Sequence, residues 1–269
     1  MTEHSPSKTV LITGIAGGVG ALVRDGLADL GWTIRGFDLA APSEPGEDWI
    51  VGDITDAAAL DEAMAGVDAV IHLAGIPVEA RFPKILHVNI FGTYEVFEAA
   101  RRAGVRRVVY ASSNHAVGYH RRADFVDEDV SVDVRPRPDT YYGVSKIFGE
   151  ALGSFYADRH DMSVACVRIG ACYAQPFTRR MLATWLSPGD AVRLFNALLV
   201  ADFKYEIVYG VSANTRAWWD LAPARRLGFE PKDDSEVHAA ELLAGLAPQL
   251  PDDPEAVFLG GDFTVRRPD

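Results

Sequence analysis

A doubly wound α/β fold, with a parallel sheet covered by helices on both faces, follows from three features of the sequence. Short apolar runs rich in β-branched residues alternate with segments of helical periodicity. Those runs are apolar along their whole length, and the first of them ends in a glycine-rich turn. Strands apolar on both faces belong inside a parallel sheet, because the crossover helices cover both sides. With 269 residues, 48% of them hydrophobic, the chain can bury a large core as one unit without disulfide or metal staples.

Each element has its own local reason. TVLIT (9–13) predicts the first strand. Residues 18–30 predict the first helix, with Val19, Leu22, Val23, Leu27 and Leu30 near helical spacing. WTIRGFD (32–38) and DWIVGD (48–53) read as strands two and three, followed by a helix over 56–64 with Thr55 as its N-cap. DAVIHLAG (68–75) is the fourth strand, a long helix covers 83–103 and stops at Gly104, and RRVVYASS (106–113) is the fifth strand. A helix from Thr140 to Arg159 precedes the sixth strand, MSVACVRIG (162–170). Beyond Gly170 the alternation breaks into helical segments with one clear strand, EIVYG. The expected organisation is a disordered tail at 1–7, a cofactor-binding core at 8–170, and a small substrate lobe at 171–269 within the same compact unit.

Composition excludes several classes. Two cysteines, Cys166 and Cys172, make neither a disulfide framework nor a Cys-rich zinc module. Twenty-six basic against 38 acidic residues give a formal charge of −12, which repels nucleic acid and anionic membranes. No apolar run is long enough to span a bilayer, and MTEHSPSK lacks the apolar core of a signal peptide. A cytoplasmic protein is therefore expected. The histidines, including His72, His87 and His160, show no metal-ligand spacing.

The turn after the first strand reads Gly14-Ile15-Ala16-Gly17-Gly18-Val19-Gly20. Gly14 permits a tight turn, Gly17 lets a pyrophosphate approach the backbone, and Gly20 lets helix and strand pack closely. The helix N-terminus then offers N–H groups and a positive dipole end to phosphates. An ordinary βα turn would also tolerate these glycines, but the strand before and helix after favour a Rossmann dinucleotide site. Asp38 ends the second strand, where a carboxylate accepts from ribose hydroxyls and repels a 2′-phosphate, so NAD is favoured over NADP. Arg24 and Arg35 are the rival features. Asp53-Ile54 fits an adenine contact, although Asp53 reads equally well as a helix cap.

Tyr142 and Lys146 stand at i and i+4, one turn apart on one helix face, and Ser112-Ser113-Asn114-His115 lies at a strand end where ligands of such folds bind. GxxGxxG, the Asn89 helix HVNIFGTYEVFEAARRAG, the paired serines and YxxxK occur in the order found in extended short-chain dehydrogenases/reductases, which the sequence resembles. Within that superfamily it is similar to the uronate dehydrogenases through YASSNHAVGYHRR, RPDTYYGVSKIFGE, RIGACYAQPFTRRMLATWLS, VYGVSANTRAWWD and LGFEPKD.

The resemblance implies oxidation at C1 of cyclic hexuronic acids, glucuronate or galacturonate, by NAD to an aldarolactone, in a homo-oligomer. It implies Tyr142 as proton acceptor, Lys146 on the nicotinamide ribose and beside the phenol, Ser113 on the reacting hydroxyl, and Asn89 as a structural and relay residue. Asn114 and His115 would hold ring hydroxyls, and Arg180 the carboxylate, though Arg179-Arg180 also reads as a solvated pair near a helix start. His115 reads equally well as a structural histidine. Leu73, Ala74, Gly75 and Cys172 are implied cofactor neighbours. Pro77 and Ala171 stand where substrate-touching serines are expected, and Leu221 where an asparagine is. The competing readings are a nucleotide-sugar epimerase or dehydratase of the same superfamily and a non-catalytic NAD sensor. A tyrosine titrating near 10 needs roughly 4 kcal/mol of phenolate stabilisation to act as a base near neutral pH.

Overall fold

A computed structural model describes residues 8–42 and 48–268, so the tail expected at 1–7 lies outside the described residues. Six strands run β1 (Thr9–Thr13), β2 (Thr33–Asp38), β3 (Trp49–Val51), β4 (Ala69–His72), β5 (Arg107–Ser113) and β6 (Ser163–Ile169). Two short strands, β7 (Ala171–Cys172) and β8 (Trp185–Leu186), pair with each other, and β9 (Tyr205–Gly210) returns to the main sheet. That sheet has the order β3-β2-β1-β4-β5-β6-β9, parallel throughout. The order reverses between β1 and β4, which opens a crevice at the strands' carboxyl ends.

Both faces are covered, as the unbroken apolar runs require. On one side Val10 and Ile12 pack with Val23 and Leu27 of α1 (Gly18–Asp29). On the other, Leu11, Val70 and Val108 meet Leu60 of α2 (Ala57–Met64), Val96 and Phe97 of α4 (Gly92–Arg102), and Tyr156 of α5 (Tyr141–His160). Between α2 and α4 lies the short α3 (Phe82–Ile85). After β7 come α6 (Met181–Thr184) and α7 (Pro188–Val200). Leu194, Phe195 and Leu198 of α7 join the β1 face, so β9 and α7, both beyond Gly170, belong to the sheet's layers. A third cluster, Val117, Val130, Tyr209, Val211, Trp219 and Leu259, holds the C-terminal segments against the sheet.

Two local expectations change. The N-cap of α2 is Asp56, whose carboxylate accepts from Ala58 N and Ala59 N at 3.0 and 3.3 Å, and the helix begins one residue later than Thr55 would allow. The helix expected over 83–103 is interrupted: Leu86–Phe91 is wound as a π-helix, a form frequent at functional sites.

Behind α5 lies a buried ion pair. Arg168 on β6 donates through Nε and Nη2 to Glu150 at 2.8 and 2.9 Å, and Ser112 Oγ donates to the same carboxylate at 2.6 Å. Removing one partner strands the other charge, at about 3–5 kcal/mol, whereas replacing both with apolar groups is far milder. Arg168→Met should lower the unfolding free energy by about 3–5 kcal/mol in denaturant titration, and Arg168→Met with Glu150→Leu should recover most of that. A double variant as unstable as the single would show that the pair's own attraction is what holds α5.

Candidate active site

The cleft at the crevice encloses about 660 Å³ and is lined by Gly14, Ala16, Gly17, Gly18, Val19, Gly20, Asp38, Asp53, Ile54, Leu73, Ala74 and Gly75, joined by Pro77. Gly14 has φ +74°, and a Cβ there would stand 2.7 Å from Ala74 N. A Cβ on Gly20 would meet Gly14 O and Ile15 Cα at 2.6 Å. The turn is therefore built for glycine, and Gly17 caps α1 with extended backbone, leaving that helix's N–H groups facing the cleft. Asp38 is held across the mouth of this turn, accepting from Ala16 N at 2.9 Å and Ala40 N at 3.1 Å. Asp53 accepts from Thr55 N and Oγ1, both at 2.9 Å, and caps no helix. Of the rival cations, Arg35 is tied to Asp48 at 2.9 Å and to Ala65 O at 2.6 Å, and Arg24 pairs with Asp25. These residues fit an adenosine ribose on Asp38 and a pyrophosphate at the N-terminus of α1.

The second half of the site is set by α5 against the end of β5. Thr140 caps α5 by accepting from Gly143 N at 3.0 Å, and Tyr142 N donates to Glu79 at 3.2 Å. Lys146 Nζ donates to Ala111 O at 2.8 Å and lies 5.3 Å from the centre of the Tyr142 ring. Burial pulls the lysine down to about 8. Burial pushes the Tyr142 phenol up to about 12, against a hydrogen bond with Ser113 that favours its ionised form. Acting near pH 7 thus needs about five pK units, on the order of 7 kcal/mol, more than the roughly 4 kcal/mol read from the free side chain, because burial taxes the phenolate too. Asn89 sits within the π-helix. Its Oδ1 accepts from Ile76 N at 2.8 Å while Nδ2 donates to Ile76 O and Ser145 Oγ at 3.0 and 3.1 Å, pinning the loop after β4 to α5.

Beyond Tyr142 lies a guanidinium within electrostatic reach of Asp139, Glu255 and Asp262. Arg180, at the start of α6, donates through Nε to Leu259 O at 2.8 Å and through Nη2 to Asn114 Oδ1 at 2.5 Å. No carboxylate among the described residues ion-pairs with it, and burial lowers its guanidinium to about 10. Arg179 points elsewhere, to Ala247 O at 3.0 Å. Asn114 is buried, spends both amide hydrogens on Ile169 O and Gly170 O and accepts from Arg180 through Oδ1, so it orients the guanidinium and is not turned toward a ring hydroxyl as expected. His115 stacks on Phe263 with ring centres 3.8 Å apart, and its Nδ1 meets Asp139 Oδ2 at 2.7 Å. Ala171 is buried in β7 opposite Trp185, and Cys172 packs into the core beside Leu186, neither of them lining the dinucleotide cleft. Leu221 packs on the cluster around Trp219, away from these residues.

Two participants carry no sequence signal: Phe263 and the Leu259 carbonyl reach the site only because the chain's end folds back over β5. Asp139 stands three residues ahead of Tyr142, where nothing in the sequence shows that it meets His115. Among the described residues no His/Cys/Asp/Glu group could hold a metal, and no helix is long and apolar enough to cross a membrane.

Residues 10–204 match the NAD dependent epimerase/dehydratase family. A uronate dehydrogenase from Pseudomonas putida is 42% identical over 268 residues, 98% of each chain. The crystal structure of a point variant of uronate dehydrogenase from Agrobacterium tumefaciens, complexed with NAD, aligns at TM-score 0.91 and 40% identity, covering 97% of this chain and 98% of that one. An NAD-dependent glucose-6-phosphate dehydrogenase from Haloferax volcanii is 40% identical over 245 residues, 84% of this chain and 94% of its own.

The lysine yields a stability test. The unfolded chain keeps its Lys146 proton up to about 10.5 and the folded one only to about 8. Between these values the unfolded state binds more protons, so stability rises with pH across the window, and below it a penalty of about 3 kcal/mol stands in full. Lys146→Met should stabilise the ligand-free protein at pH 7 by about 1–2 kcal/mol, once the orphaned Ala111 carbonyl is counted. Denaturant midpoints at pH 7 and pH 10 check this, with the advantage shrinking at the higher pH. A variant less stable than wild type at pH 7 contradicts it.

Proposed function

This chain belongs to the NAD-dependent epimerase/dehydratase family, and we propose that it oxidises C1 of cyclic hexuronic acids with NAD, giving the aldarolactone. Arg180 carries the reading: a partly buried guanidinium beside Asn114 that neutral groups orient and that ion-pairs with no carboxylate among the described residues, although Asp139, Glu255 and Asp262 act on it from further away. A uronate carboxylate would reach the guanidinium through Nη1, since Nε and both Nη2 hydrogens are given to Leu259 O and Asn114 Oδ1. The P. putida and A. tumefaciens relatives are uronate dehydrogenases, and they support the same choice.

When bound, oxidised NAD supplies the hydride acceptor and a positive charge. The chain does the rest. Arg180 holds C6, which places C1 across the ring toward Tyr142 and Ser113. Ser113 Oγ accepts from His115 N at 3.2 Å, and its own proton, given to the Tyr142 phenol in the ligand-free site, turns to the reacting oxygen once the sugar is bound. Tyr142 takes the C1 hydroxyl proton as its phenolate, with the Lys146 ammonium one helical turn away stabilising that charge. Asn89 keeps the Ile76 loop against α5 and so keeps the cleft's wall fixed relative to Tyr142. Pro77 offers no hydroxyl at the mouth, which removes about 1 kcal/mol of sugar binding relative to a serine.

The homo-oligomer belongs to this proposal, supported by Phe91 and Tyr94 of the π-α4 segment and Phe155 of α5, all exposed. Cytoplasmic action, where NAD is supplied, belongs to it as well.

Purified protein should reduce NAD with glucuronate or galacturonate and far less with glucose. Because Arg180 holds ground and transition states alike, Arg180→Ala should chiefly raise KM, by about 10- to 100-fold, and Arg180→Lys should rescue only part. Arg179→Ala, the neighbouring control, should stay within about twofold of wild type. Initial rates of NADH formation across a glucuronate series at saturating NAD measure all three. An Arg180→Ala enzyme with wild-type KM would remove the carboxylate receptor, and with it the uronate assignment.

A further inference from the structure

Asp139 belongs to none of the roles assigned so far, yet its surroundings are shaped around it. Its side chain is fully buried, and a Cβ on Gly118 or Gly260 would stand 1.8 or 1.9 Å from its Oδ2. Two glycines from distant parts of the chain therefore leave the space that this carboxylate fills. Oδ2 meets His115 Nδ1 at 2.7 Å, and Oδ1 accepts from Thr140 Oγ1 at 2.9 Å. The Thr140 hydroxyl in turn accepts from Gly143 N, the capping bond of α5.

Directionality follows. A carboxylate oxygen accepts only, so His115 Nδ1 carries the proton and Nε2 of the neutral ring is an acceptor. The ring cannot swivel, because Phe263 stacks on it with planes 19° apart and the Tyr142 ring stands edge-on with centres 6.0 Å away. Burial, with Arg180's charge, holds the imidazole's affinity for protons below the ordinary value despite Asp139 and Asp262, so it stays neutral at pH 7. His115 thus neighbours the Tyr142 ring and lies within reach of Arg180's charge.

We propose that Asp139 is a positioning residue for sugar recognition: it fixes His115 in the Nδ1–H form so that Nε2 accepts from a ring hydroxyl, and the same carboxylate ties this acceptor to the cap of the Tyr142 helix. The inference rests on the uronate reading of the site and deepens it. It explains why a carboxylate is buried here, where a neutral group would fill the same space without setting the ring's polarity.

The substitution Asp139→Asn has a defined consequence. Thr140 Oγ1 donates toward Oδ1, so the amide oxygen stays there and the NH2 turns to His115 Nδ1, forcing the proton onto Nε2. A carboxylate-to-amide change of this kind reverses a histidine's tautomer in hydrolase triads. Long-range ¹H–¹⁵N correlation spectra of histidine-labelled protein, assigned with His115→Gln, read the tautomer directly. Wild type should show Nδ1–H, and Asp139→Asn should show Nε2–H. In NADH-loaded wild type, glucuronate should shift the Nε2 resonance in the direction of hydrogen-bond acceptance.

Kinetics supply the second arm. Asp139→Asn should lower kcat/KM for glucuronate by about 10- to 100-fold, and by less than about twofold in a His115→Ala background, since the two act as one unit. An Nε2–H wild-type ring, an Nε2 resonance unmoved by glucuronate in an enzyme that turns glucuronate over, or an Asp139→Asn loss undiminished without His115 each overturns the proposal. Lack of turnover with every uronate would instead sink the functional reading and leave the tautomer result standing, so the two failures are distinguishable.

Discussion

The close seating of α5 on the ends of β5 and β6 is the constraint from which the site follows. It is possible only because the helix is bare where the sheet touches it. A Cβ on Gly149 would lie 2.2 Å from Tyr110 Cζ, and one on Gly143 would lie 2.5 Å from His115 O. The Glu150–Arg168 pair, the bond from Ser112 and the bond from Lys146 to Ala111 O then fix the helix in rotation. This approach buries Tyr142 and Lys146 together, and burial opposes the charged form of each. The protein carries that cost in the ligand-free state, and where both groups are buried an electrostatic effect on the phenol is large.

The opposite end of the pocket depends on the chain's terminal segment. Leu259 O orients Arg180, Phe263 clamps His115, and Gly260 makes room for Asp139, all from residues that approach β5 after the sheet is complete. The side chains around Arg180 and His115 thus come from well-separated parts of the chain, whereas Tyr142 and Lys146 share one helix.

What could be read from sequence was what local physics determines. The β1 turn, its glycines and Asp38 lie within one βαβ unit, so the strand before and the helix after make their pattern point to a dinucleotide site. Tyr142 and Lys146 follow from helical periodicity, and Arg180 from resemblance. The return of β9 to the sheet was hidden, because a strand's partner is a long-range fact and EIVYG would look the same in a separate lobe. The π-helix around Asn89 was hidden too, since its residues keep ordinary helical spacing. Asp56 displaced Thr55 as a cap because both are good caps and only the backbone's path decides. Phe263 was invisible because it meets His115 from nearly the other end of the chain, and Asp139 because the stretch before Tyr142 does not show that it faces His115.

If Arg180 holds the carboxylate at one end of the ring, as we propose, C1 is the carbon oxidised at Tyr142. Glucuronate carrying deuterium at C1 alone tests this most directly. Incubation with the enzyme and NAD, followed by mass spectrometry of the reduced cofactor, should find one deuterium per molecule of NADH formed, with none released to water. Unlabelled NADH formed from that substrate would mean that another carbon is oxidised, and would contradict the placement of the sugar between Arg180 and Tyr142.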